Sequence, residues 1–124
     1  MSEMDVDSAI EVDMPELDKD KIVVLPGALA DGTGASFQIK DEDHTLGNAL
    51  RYIIMKNPDV EFCGYSIPHP AEPFLNIRIQ TYGEISAIEA LEKGLDDLAS
   101  VCDHVEAVYS QAVNNKDYPA EEPI

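Results

Sequence analysis

The chain has 124 residues, with 25 acids against 8 bases for a formal net charge of −17, and 44 % of it is hydrophobic. That length suits one domain, and the apolar share excludes a wholly disordered acidic protein. The charge argues against direct nucleic-acid binding, because phosphate contact depends on Lys and Arg. Apolar runs are too short for a transmembrane helix. Residues 1–13 have neither the basic nor the apolar region of a secretory signal. Two cysteines, Cys63 and Cys102, make no disulfide framework and fit a reducing compartment, cytosol or nucleus.

Charge is densest at the front. Residues 1–34 hold nine acids and two bases, with single apolar residues between the acids and no period. Residues 1–20 are therefore expected to form a disordered acidic tail. Ser2 and Ser8 each precede an acid by three residues, a spacing that suits a helix capping box or an acid-directed kinase, beside the plainer reading of a solvated tail. Residues 114–124 form a second acidic, Pro-containing tail. The folded domain is expected over 21–113.

Within that domain the order is strand, strand, helix, strand, strand, helix. Ile22 to Leu25 is a β-branched run stopped by Pro26-Gly27. Ala28 to Gly34 reads as loop. Phe37 and Ile39 alternate with Gln38 and Lys40, the period of a half-buried strand. Asp41 to Thr45 supplies caps and acids for a helix start. Leu46, Ala49, Leu50, Ile53 and Ile54 then share one helix face, and Asn57-Pro58 ends the element. Gly47 inside this helix implies close backbone approach, since it costs about 1 kcal/mol against Ala. Val60 to Ile67 reads as a strand, 68–73 as a stiff loop, and Leu75, Ile77 and Ile79 as a strand alternating with polar residues. The fold class is α+β: a small sheet of about four strands packed with two helices.

The last helix is expected over about 84–113, roughly 45 Å at 1.5 Å per residue. A body of about 80 residues is only about 30 Å across, so the helix should overhang it. Ile88, Leu91, Leu95, Leu98, Cys102 and Tyr109 form one apolar stripe. Ala87, Gly94, Val101, Val105, Val108 and Ala112 form an adjacent one. Together they span about 160°, against little more than about 100° needed for one packing surface. Such a helix wants two partners, its own sheet and a second chain, with Ala87, Gly94 and Ala112 permitting close approach. The alternative is a helix buried deep in a larger core, which a domain with two helices does not easily supply.

Catalytic chemistry is sparse. There is no Gly-rich phosphate loop and no CxxC, HxxxH or HExxH spacing among His44, His69, His104, Cys63 and Cys102, so no metal or cofactor is expected. Cys102 lies on the apolar stripe and reads as a small core residue. Asp31-Gly32-Thr33-Gly34 has the wording of an aspartic-protease nucleophile, but it stands once, in a loop, in a short chain. Pro70 to Pro73 has PxxP spacing, which a rigid loop explains as well. A thiol enzyme using Cys63 or Cys102 stays open as an alternative.

Asp43-His44-Thr45-Leu46-Gly47-Asn48-Ala49-Leu50-Arg51 resembles the signature of the α-like subunits of DNA-directed RNA polymerases. That family includes the bacterial α amino-terminal domain, the archaeal L-type subunit and the small eukaryotic α-like subunits. Val60 to Pro70, and then Asn76-Ile77-Arg78-Ile79-Gln80-Thr81, continue the match in order, so the likeness spans roughly 22–112. Arg51 to Pro58, with Phe62-Cys63-Gly64-Tyr65, is most similar to the small members shared by polymerases I and III. The small members of polymerase II and of archaea are the alternative.

The resemblance implies a non-catalytic assembly subunit. It would pair with a larger α-like subunit and form the platform on which the large catalytic subunits of polymerases I and III assemble, in the nucleus and nucleolus, supporting rRNA, tRNA and 5S rRNA transcription. The heterodimer interface would use Leu46, Leu50, Ile53 and Ile54 of the first helix. From the long helix it would use Ala87, Leu91, Gly94, Leu98, Val101, Val105 and Val108. His44, Asn48 and Arg51 would face the large subunits, with Arg51 making a polar contact there. Direct contact with nucleic acid or membrane is not expected.

Overall fold

A computed structural model describes residues 16–120. The expected tail 1–20 therefore lies mostly outside the described residues, as do both serine-acid spacings and the last four residues of the C-terminal tail.

Four strands form one antiparallel sheet in the order β1-β2-β4-β3. They are β1 (Ile22–Val24), β2 (Gly34–Lys40), β3 (Val60–Ser66) and β4 (Phe74–Thr81). Phe37 stands opposite Ile77 and Ile39 opposite Leu75, so period-2 apolar residues of neighbouring strands meet on one face. That face is the core: Phe37, Ile39, Leu75, Ile77 and Ile79 are buried. The other face carries Ser36, Gln38, Asn76 and Arg78 in the intervening positions. Strand β3 has a register irregularity between Val60 and Phe62, after which Cys63 points inward opposite Ile79.

Helix α1 (His44–Met55) packs on the apolar face. Asp43 caps it, its carboxylate accepting from the Thr45 N–H at 2.9 Å. Asp41, at φ 57°, turns the chain out of β2 into this cap. Gly47 is buried because the Tyr65 ring and Leu75 come against it; a Cβ there would stand 2.7 Å from the ring. The close approach expected at this glycine is therefore met by the chain's own sheet.

Helix α2 (Ala87–Asn114) has 28 residues, a length of about 42 Å. Ser86 is its cap, with Oγ accepting from the Glu89 N–H at 3.1 Å. The helix starts three residues later than expected because Thr81 Oγ1 donates to the Ile85 carbonyl at 2.6 Å, which holds 82–85 as a connection. Ala87, Ala90, Leu91 and Gly94 are buried, and Leu95 and Leu98 are packed against the core. From Ala99 to Asn114 every residue except Ala112 is exposed. Cys102, expected in the core, is exposed for this reason: the body ends before the helix does.

Candidate heterodimerisation surface

The apolar residues of α2 divide along the helix rather than around it. Eighteen residues make five turns of 3.6, so residues eighteen apart share one azimuth about 27 Å along the axis. Buried Ala87, Ala90, Leu91 and Gly94 therefore project onto Val105, Val108, Tyr109 and Ala112. The first quartet is covered by the sheet and α1. In the second, Val105 is 59 % exposed, Val108 50 % and Tyr109 70 %. With His104 these four residues line a shallow concavity of about 380 Å³. Val101, 44 % exposed, links the two quartets.

This geometry corrects the reading of two side-by-side stripes. A single face is used, its first half inside the chain and its second half left open. Ala87, Leu91 and Gly94, expected at a partner, have no surface left to offer one; nor do Leu50 and Ile54 on α1, at 0 % and 1 % exposure. Gly94 serves close packing of α2 on α1 within the chain, where a Cβ would stand 2.4 Å from Ile54 Cγ1. Leu46, Ile53 and Leu98 are half-buried and keep an outward edge. Ile88 and Tyr109, which share the first stripe with buried Leu91, are exposed.

Sequence periodicity missed Tyr52 and Met55 on α1, at 56 % and 43 % exposure. They sit off the Leu46–Ile54 face, and an apolar pair on the polar side of an amphipathic helix was the available signal. The Lys56 ammonium lies 4.8 Å from the Tyr52 ring centroid.

His44, Asn48 and Arg51 are brought together, at i, i+4 and i+7 on one side of α1. His44 Nδ1 is 2.9 Å from the Tyr65 hydroxyl, and the two rings meet edge to face. Arg51 donates to Asn48 Oδ1 at 3.4 Å. Among the described residues Arg51 has no ion pair, so its charge faces outward unneutralised. Nearby Cys63 is buried, and desolvation pushes its thiol up to about 11 against a smaller opposing effect of Arg51. A thiol held protonated is a poor nucleophile. Cys102 stands exposed on the helix, and the two sulfurs share no site. Asp31 accepts from the N–H and hydroxyl of Thr33 in a surface turn, so its carboxylate is spent on holding the loop.

Residues 34–108 match the family described as the RNA polymerase Rpb3/Rpb11 dimerisation domain. The chain belongs to this family. It is 65 % identical over 99 residues to the Saccharomyces cerevisiae DNA-directed RNA polymerases I and III subunit RPAC2, covering 79 % of this chain and 70 % of that one. To the Schizosaccharomyces pombe protein of the same name it is 59 % identical over 92 residues, 74 % of each chain. Its fold is similar to that of subunit L of the Thermoplasma acidophilum DNA-directed RNA polymerase, with a TM-score of 0.64. That match covers 82 % of this chain and 96 % of the archaeal one at 15 % identity, which makes it a likeness of fold. The family match opens at the first residue of β2 and reaches Val108, so it takes in three of the four strands, all of α1, and α2 as far as two of the four open-quartet residues.

Proposed function

We propose that this chain is the small, non-catalytic member of an α-like heterodimer that serves as assembly platform for RNA polymerases I and III. The observation that carries this is the repeated quartet on α2. A helix surface alike in azimuth and apolar character to one already packed on α1 is left open beyond the body, and an antiparallel helix pair from a larger α-like subunit would cover it. Val101, Val105, Val108, Tyr109 and Ala112 make the centre of that interface, with Leu98, Leu46 and Ile53 at its inner edge. Burying such a strip against a partner favours pairing by about 25 cal/mol per Å² of apolar surface.

His44, Asn48 and Arg51 lie on α1 and face the large catalytic subunits, Arg51 offering its guanidinium to a carboxylate or carbonyl. The chain contributes position rather than chemistry, so rRNA, tRNA and 5S rRNA synthesis depend on it through assembly. It works in the nucleus and nucleolus. Relatives named as subunits of polymerases I and III support that choice of enzymes over polymerase II.

The test is affinity purification of tagged chain from nuclear extract, read by peptide mass spectrometry. Recovery of the large subunits of polymerases I and III together is expected. Recovery of polymerase II alone would move the chain to another enzyme, and recovery of no polymerase would end the proposal.

A further inference from the structure

The face of the sheet turned away from the helices has a charge unlike the rest of the chain. Its paired outward positions hold two bases, Lys40 and Arg78, and no Asp or Glu, in a chain of net charge −17. Glu61, at the bulge of β3, stands opposite no residue of β4. Lys40 is already paired with Asp18 at 3.1 Å. Arg78, mid-strand on β4, has no ion pair among the described residues. Its guanidinium leans over β2, donating to Ser36 Oγ at 3.4 Å and lying so close to Gly34 that a Cβ there would stand 3.0 Å from it.

Two residues back on the same strand face, Asn76 Oδ1 is buried without a hydrogen-bond partner. An unpaired cation beside an unanswered acceptor calls for an anion and a donor together. Both residues line a concavity of about 400 Å³, with Leu25 beyond β1 and Phe62 on β3 among the other lining residues. Phe62 is 48 % exposed, and its ring lies over Gly64, where a Cβ would stand 2.9 Å from Cζ. Strand positions two apart lie about 7 Å from each other on one face. A helix spends its N–H groups internally, so the donor belongs to extended chain. In extended chain a carboxylate-bearing residue and the backbone N–H two residues on have this same spacing.

We propose that this groove docks an extended acidic segment of another protein, with a carboxylate on the Arg78 guanidinium, the backbone N–H two residues away on Asn76 Oδ1, and an apolar side chain against Phe62. Charge complementarity selects the occupant, because the chain's own acids repel such a segment from the rest of its surface. A phosphate backbone would answer Arg78 but brings no N–H for Asn76. The groove lies across the sheet from α1 and α2, so docking here is independent of pairing through α2.

The probe is a fluorescent peptide of about nine residues alternating Glu with Val. It is added to the full chain at about 10 mM salt, where screening extends to about 30 Å, and binding is read by anisotropy. It should bind, and the same peptide with Gln in place of Glu should bind about fivefold more weakly, the upper end for an exposed ion pair. That comparison needs no variant to fold. Arg78→Gln should weaken the Glu peptide by about the same factor. Asn76→Asp should weaken it too, because it sets a carboxylate beside Arg78 within the chain. Salt near about 1 M should erase the difference between the peptides. Equal binding of the two peptides, or none, would overturn the proposal, as would binding that Arg78→Gln leaves unchanged. Affinity that falls as chain concentration rises would overturn it in favour of a second copy. Tighter binding of an oligothymidylate of similar length, lost with Arg78→Gln, would assign the face to a phosphate backbone instead.

Discussion

Gly94 on α2 stands where the helix crosses Ile54 on α1, and the space left for a Cβ is 2.4 Å from Ile54 Cγ1 and 3.5 Å from Leu50 Cδ1. Both leucine and isoleucine are fully buried, so neither has room to retreat. Gly94→Ala gains about 1 kcal/mol in helix propensity. Overpacking of a tight core costs typically about 1–3 kcal/mol. The contact is far inside van der Waals distance, so the cost should win. A lower urea midpoint with an unchanged slope is expected, and equal or higher stability would mean that the helices shift apart freely.

Val105→Glu and Val108→Glu separate pairing from folding. Both positions are exposed in the free chain, so stability by thermal melting should stay within about 0.5 kcal/mol of wild type. Co-expressed with a larger α-like subunit, each variant should elute alone by light scattering, because pairing would bury an unpaired carboxylate. Wild type alone should self-associate. Pairing that survives both changes would place the interface elsewhere.

The two cysteines should differ sharply toward iodoacetamide at pH 8. Burial raises the Cys63 thiol to about 11, so it should stay unlabelled until the chain unfolds, while exposed Cys102 labels in the folded chain. Cys102 follows Val101 on α2, so labelling should slow once the partner is bound. Fast labelling of Cys63 in the folded chain would revive the thiol-enzyme alternative.

Asp43 ties helix α1 to pH. Its carboxyl is held below the ordinary value of 3.8, chiefly by the backbone N–H of Thr45 and next by the Thr45 side chain. A depressed folded value means the contribution is present above the unfolded value and lost as pH falls through the folded one. Asp43→Asn should melt below wild type at neutral pH. The gap should begin to close near pH 3.8 and vanish below the folded value. A gap independent of pH would mean that the ionised carboxylate is not what caps the helix.

Local patterning made much of the fold legible. Alternation in Phe37-Gln38-Ile39 and Leu75-Asn76-Ile77-Arg78-Ile79 marked both central strands and their buried faces, because a strand's side chains alternate whatever it pairs with. Asp43 and Asn57-Pro58 marked the limits of α1 through capping and proline chemistry that act within a few residues. The start of α2 was misjudged because the Thr81–Ile85 bond, which withholds 82–85 from the helix, spans the end of a strand and leaves no periodic trace.

The candidate surface was legible in part. Helix length and an over-wide apolar arc already implied an overhang and an outside partner for Val101, Val105 and Val108. Which residues of the arc stayed free was not legible, and Ala87, Leu91, Gly94, Leu50 and Ile54 were wrongly offered to the partner. Cys102 was wrongly buried for the same reason. Periodicity records azimuth, and azimuth is identical for Ala87 and Val105.

By itself the sequence determined the element types, the buried faces of β2 and β4, the acidic character and the family signature around Asp43–Arg51, since all of these rest on local chemistry or composition. Only the tertiary structure decided where along α2 the body ends. That depends on how far the sheet and α1 extend beneath the helix, a sum of contacts among residues distant in the chain, and it alone separates the covered quartet from the open one.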